Sequence, residues 1–381
     1  MICQDKITEI ITTHFNLMIK ERLSLIEVQE LFNIIYQTAY DGNYNKDQLK
    51  STVELCYMPY IIQDPLHVQE DVHLHVQEDL HVQGPFEEID TLHKRELIGD
   101  QRSTDWLTRR NSYITASISA ACAGLMGPSS RENYLLEKAT EGKYKNFTGS
   151  VYTDKGNIFE PVTNSIYCIR NNTHIHAFGL IPSENQEYNF LAASTDGVTS
   201  SLINIEIKTL ASRVLDGKIK KEYFHQMQHQ MFCLGLKQSH FIEAKYDEYT
   251  SAENLILAVN RIDIVTVGAI IEKYDIVEGF TYEYSPICNI SEVVTWVDIR
   301  KSIIYSEKAF YVRTIFWHLT DYGQQTVKCD PTWITTIGPV LSKFWTDVQS
   351  LKRDHKKLND LLTAKEINKM QKKTMFKNCQ L

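Results

Sequence analysis

Ala193-Ser194-Thr195-Asp196-Gly197, followed by Leu202-Ile203-Asn204-Ile205-Glu206-Ile207-Lys208, is the stretch that decides the fold. The second segment alternates and reads as a strand. Successive strand residues point to opposite faces, so Glu206 and Lys208 share one face and Ile207 points into the core. Asp196 sits at a turn, and Gly197 after it permits a tight return of the chain. Two adjacent strands then bring Asp196 beside Glu206. Two close carboxylates repel each other unless a cation neutralises them. A hard divalent cation takes carboxylates, a carbonyl and waters as ligands. Asp196, Glu206 and the Ile207 main-chain carbonyl supply such a set for Mg2+, with Mn2+ as a substitute. Lys208 then lies near the attacking water, where its positive charge favours hydroxide. That assembly suits phosphodiester hydrolysis, which needs an anchored cation and an activated water. By itself the spacing is common, so the flanking sequence has to carry the rest.

Working outward, apolar periodicity predicts helices over 100–111, 131–140, 153–171 and 221–235. Strands are predicted over 175–181, 189–194, 202–208, 239–246 and 254–260. The order implies a mixed α/β core. Upstream, Ile7, Ile10, Ile11, Phe15 and Met18 recur at helical spacing, which predicts helix over 5–40 and a shorter one over 46–57. Downstream of 260, several helices are expected up to about residue 373, with Trp296, Ile299, Ile303 and Ile304 on one face. The domain organisation read from this is a helical region at 1–62 and a linker at 63–95. The core follows at 96–260, and a mainly helical C-terminal region at 261–381.

Leu66-His67-Val68-Gln69-Glu70-Asp71 recurs as Leu74-His75-Val76-Gln77-Glu78-Asp79 and in part as Leu80-His81-Val82-Gln83. It reads as an expanded surface linker; the alternative is a metal-binding array of His67, His73, His75 and His81. The net charge of -8 opposes general nucleic-acid binding, although a local basic groove on an acidic protein is compatible with it. Residues 343–377 hold ten Lys/Arg against four Asp/Glu, a basic tail that fits either phosphate contact or a solvated face. The 8 cysteines are scattered without a C-x-x-C pair, as expected of reduced thiols in an intracellular protein. No signal peptide or run of about 18 apolar residues is read, so no membrane span is expected.

Five ordered blocks carry a resemblance. Trp106-Leu107-Thr108-Arg109-Arg110 with Ile114-Thr115-Ala116-Ser117 resembles an opening W-x-x-x-R … I-T-A-S. Gly156-Asn157-Ile158-Phe159-Glu160 resembles a G-x-x-x-E helix. Ala193 to Gly197 resembles S-P-D-G, Ile205 to Lys208 resembles h-E-[LIV]-K, and Tyr223-Phe224-His225-Gln226-Met227-Gln228 resembles Y-x-x-Q-x-Q. Together they resemble the lambda-exonuclease family, the YqaJ-like viral recombinases, within the PD-(D/E)XK nucleases; viral alkaline nucleases are similar. The blocks cover roughly residues 100–250. Thr195 departs from the pattern, since the family has Pro there and Pro fixes φ before the aspartate.

The resemblance implies a restriction-endonuclease-like core, a central mixed sheet flanked by helices, with mostly helical N- and C-terminal extensions. It implies a magnesium-dependent 5′→3′ exonuclease acting on linear duplex DNA in recombination or replication. Asp196, Glu206, the Ile207 carbonyl and Glu160 are the implied metal set, with Lys208 the catalytic lysine and Gln226 its supporting glutamine. Arg110 is the implied grip on a 5′ phosphate, joined by Thr115 and Ser117. Those two hydroxyls suit helix capping as well. Arg109 is expected on the surface and Trp106 in the core, while Gln230 and His229 are read as outside the site. A single-strand annealing protein and a homo-oligomer are the partners implied, and a host nucleus or cytoplasm is the expected location if the source is viral. Kept beside this are an endonuclease or RNA-cutting relative, and a silent DNA-binding or assembly protein with the same fold.

Overall fold

A computed structural model describes residues 86–97, 101, 103–144, 151–211, 213–259, 266–275, 279–304 and 309–378. The helices expected over 5–40 and 46–57 and the histidine repeat at 64–83 lie outside the described residues. In chain order the elements are α1 (Phe86–Arg95), α2 (Thr104–Arg110), β1 (Ile114–Thr115), α3 (Ser119–Cys122), α4 (Pro128–Ala139), α5 (Val151–Asn171), β2 (Ile175–His176) and β3 (Ile181–Pro182). Next come β4 (Leu191–Ala193), β5 (Gly197–Thr199), β6 (Asn204–Leu210), α6 (Lys221–Leu234), β7 (Gln238–Tyr249) and α7 (Ala252–Ala258). The chain ends with β8 (Val267–Asp275), β9 (Gly279–Tyr284), α8 (Ile290–Ile304), β10 (Phe310–Lys328), α9 (Trp333–Arg353) and α10 (His355–Asn378). The described residues divide into two compact units, one within 82–245 and 321–381, the other within 246–320.

The first unit holds the quoted stretch. Its main sheet runs β2-β5-β6-β7 and continues into the later half of β10; a second sheet runs β1-β4-β3. β5 and β6 are antiparallel, while β6 and β7 are parallel. A parallel pair requires a crossover, and α6 supplies it. The helix stops at Gly235, whose left-handed φ of 76° closes the last turn at no steric cost. The sheet is mixed and helices pack on it, as the sequence implied. Ile205 and Ile207 bury against Tyr167 of α5, so the even-numbered residues of β6 face α6. The larger core joins Met227 and Met231 of α6 to Phe241, Trp333, Leu341 and Phe344. At Gly197, φ is 148°, and an added Cβ would meet Ile175 Cγ2 at 2.1 Å. Only glycine fits between the Asp196 turn and β2.

The second unit contains β8, β9, α8, α7 and the first half of β10. β8 pairs antiparallel with both β9 and β10. Leu255, Val259, Val267, Val293, Val297 and Phe316 form its core.

Three expectations are corrected here. The run 254–260 is helix, not strand; Ser251 caps α7 by accepting from the Asn254 N–H, and a short apolar run cannot be told apart by periodicity alone. After 260 three helices hold most of the described residues, but β8, β9 and β10, which the sequence reading did not foresee, stand among them. Phe310-Tyr311-Val312 and Thr314-Ile315-Phe316-Trp317 are β-branched and aromatic, which suits a pleated buried surface. The strand expected over 175–181 splits into β2 and β3, which belong to different sheets. Between them the Gly179 N–H turns away to the Glu96 carboxylate. The last residues of the expected linker, by contrast, give way to α1, which buries Ile89 and Leu92.

Candidate active site and anion pocket

The Asp196 turn and β6 meet as the spacing suggests. Asp196 Oδ2 accepts the Ile207 N–H at 2.7 Å. A strand residue directs its N–H and C=O to the same side, so the Ile207 carbonyl also faces the Asp196 side. Glu206 is fully buried. Its Oε1 accepts from the Lys208 ammonium, and its Oε2 accepts from Gln230 Nε2 at 2.7 Å. The Lys208 ammonium also lies 5.0 Å from the Tyr223 ring centroid, a favourable cation–π distance.

The charges around Asp196 are unbalanced. Burial, then Glu206, then Glu160 raise its carboxyl well above the usual range, against the opposing pull of Lys208. Burial alone would lower the Lys208 ammonium, but Glu206 and Asp196 outweigh it and the group is raised. Lys208 is therefore held in its charged form. Glu160 stands on the α5 face that also carries Asn164, whose side chain donates to the Asp196 carbonyl at 3.3 Å. Among the described residues no three His, Cys, Asp or Glu side chains form a ready cage; the Glu160 charge is felt at Asp196. The remaining donors are hard oxygens: two carboxylates and one carbonyl. That set fits Mg2+, which is held by one or two carboxylates and keeps several waters.

Gln226 lies partly buried on α6, between Tyr223 and Gln230 on one helical face. It is Gln230, set aside on sequence grounds, that bonds Glu206. Gln228 points elsewhere, to the Lys328 carbonyl and Asp330 N–H. His229 is buried against Trp333, with ring centroids 5.8 Å apart, and burial pushes it down to about 3. Thr195 is buried beside Asp196, and its hydroxyl reaches Asn204 Oδ1 at 2.6 Å.

The arginine pocket is built from α2 and the segment after it. Ser103 caps α2 by accepting from the Trp106 N–H. Arg110 Nη2 donates to Thr115 Oγ1 and Ser117 Oγ, both at 3.2 Å. Because these hydroxyl oxygens accept, their own protons remain to donate. Thr115 precedes a 3₁₀ turn over Ala116–Ile118, yet its side chain makes no capping bond. The guanidinium lies 4.1 Å from the Trp106 ring centroid. Trp106 is buried and its indole N–H donates to Ser194 Oγ at 3.1 Å. Arg109 is exposed. The sequence reading missed Lys138 of α4, which is 2% exposed and donates to the Arg110 carbonyl at 2.5 Å. Burial, then Arg110, lowers the Lys138 ammonium to about 8. Burial likewise lowers Arg110 to about 10, against the pull of Glu137.

Residues 105–237, which hold the carboxylate cluster and the arginine pocket, match the family model of the YqaJ-like viral recombinase domain. The likeness to that family is carried by this segment. The chain is 25% identical over 305 residues to an uncharacterized protein, R354, of Acanthamoeba polyphaga mimivirus. The match covers 69% of this chain and 55% of the relative, so the chain spans about half the length of that relative. Among solved structures, an alkaline exonuclease from Laribacter hongkongensis aligns with a TM-score of 0.43 and 19% identity, covering 68% of this chain and 100% of that one. A phage-related exonuclease from Haemophilus somnus 129PT aligns with a TM-score of 0.36 and 16% identity, over 64% and 96% of the two chains. No helix among the described residues is long and apolar enough to cross a membrane.

Proposed function

We propose that the YqaJ-like domain is a divalent-cation-dependent deoxyribonuclease that shortens linear duplex DNA from a 5′ end. One observation carries the reading: the arginine pocket is tied to the turn that bears Asp196. Arg110 stacks on Trp106, Trp106 donates to Ser194, and Ser194 is two residues before Asp196. A terminal phosphate held at Arg110 is thereby kept in register with the carboxylates.

Asp196, Glu206 and the Ile207 carbonyl would hold Mg2+, with Glu160 adding negative charge nearby. When bound, the ion supplies charge neutralisation and an acidified water. Lys208 holds positive charge where the phosphate oxygens and the attacking hydroxide develop negative charge. Arg110 donates to the terminal phosphate, and an arginine suits that task through its paired donors. Thr115 and Ser117 turn their hydroxyl protons to the same anion. Gln226 extends the α6 face beside Lys208 toward substrate.

The test is digestion of a 5′-phosphorylated linear duplex, a 5′-hydroxyl duplex and a closed circle in Mg2+. The expected order is rapid loss, slow loss and no loss. Equal rates on both linear ends would overturn the 5′-phosphate part, and a nicked or linearised circle would favour the endonuclease alternative.

A further inference from the structure

Between the two carboxylates lies a set of buried polar side chains that the proposed chemistry does not use. Asn204 and Gln230 are fully buried, and Thr195 is 2% exposed. Their hydrogen bonds have one direction. The Thr195 hydroxyl reaches Asn204 Oδ1 at 2.6 Å, Asn204 Nδ2 donates to Gln230 Oε1 at 3.0 Å, and Gln230 Nε2 donates to Glu206 Oε2 at 2.7 Å. Each amide is held by a second partner. Asn204 Nδ2 also reaches Ser239 Oγ at 2.8 Å, and Gln230 Nε2 also reaches the Ser194 carbonyl at 3.2 Å. A flip of either amide breaks two bonds, so its orientation is fixed by its neighbours. The Asn204 oxygen then has to be donated to, and Thr195 is the group that does it. The same hydroxyl lies 2.9 Å from the Gly197 and Ile205 carbonyls. Its single proton goes to Asn204 while its oxygen accepts the Gly197 N–H at 3.3 Å, which ties the Asp196 turn to β6.

We propose that Thr195, Asn204 and Gln230 are positioning residues: a one-way chain of donors that aims the Glu206 carboxylate and locks the Asp196 turn against it. The inference rests on the reading of Asp196 and Glu206 as the cation-holding pair. It gives the Thr195 departure a physical sense. Where the family's Pro fixes φ before the aspartate, this chain fixes the same turn with a hydroxyl. Aligned donors in a buried chain reinforce one another, and the last one ends on a carboxylate, where hydrogen bonds are strongest.

The experiment is calorimetric titration of the full chain with Mn2+ in the absence of DNA, alongside kcat and KM on linear duplex in Mg2+. Gln230→Met keeps the bulk but cannot donate. Thr195→Val keeps the shape without the hydroxyl, and Thr195→Ser restores it. Gln228→Ala is the structural control, since that buried glutamine on the same helix bonds Lys328 and Asp330 instead. Loss of an outer-shell partner typically weakens metal affinity about 10–100-fold, and that loss is expected for Gln230→Met and Thr195→Val, with kcat falling and KM for DNA unchanged. Thr195→Ser is expected to titrate like wild type, and Gln228→Ala to lose thermal stability but not affinity. If Gln230→Met fails to fold, the Thr195 pair still decides. Wild-type Mn2+ affinity in Thr195→Val, or an equal loss in Gln228→Ala, overturns the positioning role alone. A wild-type chain that binds no Mn2+ overturns the cation-pair reading beneath it.

Discussion

The carboxylate cluster and the arginine pocket are opposite solutions to one problem, burial of like charges. Around Asp196, three carboxylates share a confined space, and the protein supplies donors: the Ile207 N–H, the Gln230 amide and the Lys208 ammonium. Around Arg110, its half-buried guanidinium and the buried Lys138 ammonium sit together, and the protein supplies acceptors: the Thr115 and Ser117 hydroxyls and the Arg110 carbonyl. Neither cluster is neutral on its own. Burying like charges destabilises the fold until a counter-charge arrives. On the proposed reading one cluster is completed by a cation and the other by the terminal phosphate.

The comparison breaks most sharply at Lys208, the one cation inside the acidic cluster. Lys208→Ala is expected to reduce the single-turnover rate on linear duplex by about 10²–10⁴-fold, the scale of losing a positioned catalytic group. Mn2+ binding by calorimetry should survive the change. A rate near wild type would remove Lys208 from the chemistry.

Lys138 tests the other side. Its ammonium is lowered from the usual 10.5 to about 8. Below about pH 8 the lysine is charged in both folded and unfolded chains, and above about 10.5 it is neutral in both. Between these values the unfolded chain binds more protons, so Lys138 makes stability rise with pH across that window. The full rise across it is about 3 kcal/mol. Chemical unfolding at a series of pH values should show this rise in wild type and its loss in Lys138→Met. Inorganic phosphate should flatten it in wild type by favouring the charged lysine.

Arg110→Ala should cost discrimination rather than chemistry. A hydrogen bond to a charged group contributes about 1.5–3 kcal/mol, so the preference for a 5′-phosphorylated end should fall roughly 10–100-fold while the rate on 5′-hydroxyl ends holds. Unchanged preference would move the phosphate site elsewhere. The smallest effect is at the exposed rim. Lys352 pairs with Glu141 at 3.0 Å, and a surface ion pair is worth about 0–1 kcal/mol. Thermal unfolding of Lys352→Ala should stay within that range, and a larger loss would mean that the rim supports the pocket.

The carboxylate side was legible because its logic is local. A strand period of two aligns Glu206 with Lys208, and Gly197 marks the turn that returns Asp196. The supporting residues were not legible. Gln226, Gln228 and Gln230 alternate on one helix, and only the packing of Met227 and Met231 into the core sets which glutamine meets Glu206. Lys138 stands 28 residues from the Arg110 carbonyl it bonds, so no local pattern announces it. The mixed sheet followed from the order of periods around β6. Beyond residue 260 the strands were missed because the aromatic and β-branched residues of β10 were given less weight than the helical spacing in α8.

The central claim is tested most directly by one digestion. A 5′-phosphorylated, end-labelled linear duplex is incubated with the full chain and with Glu206→Gln, each with Mg2+ and with a chelator. The account predicts loss of the duplex only for wild type in Mg2+. Equal digestion by Glu206→Gln, or by wild type in the chelator, would contradict it.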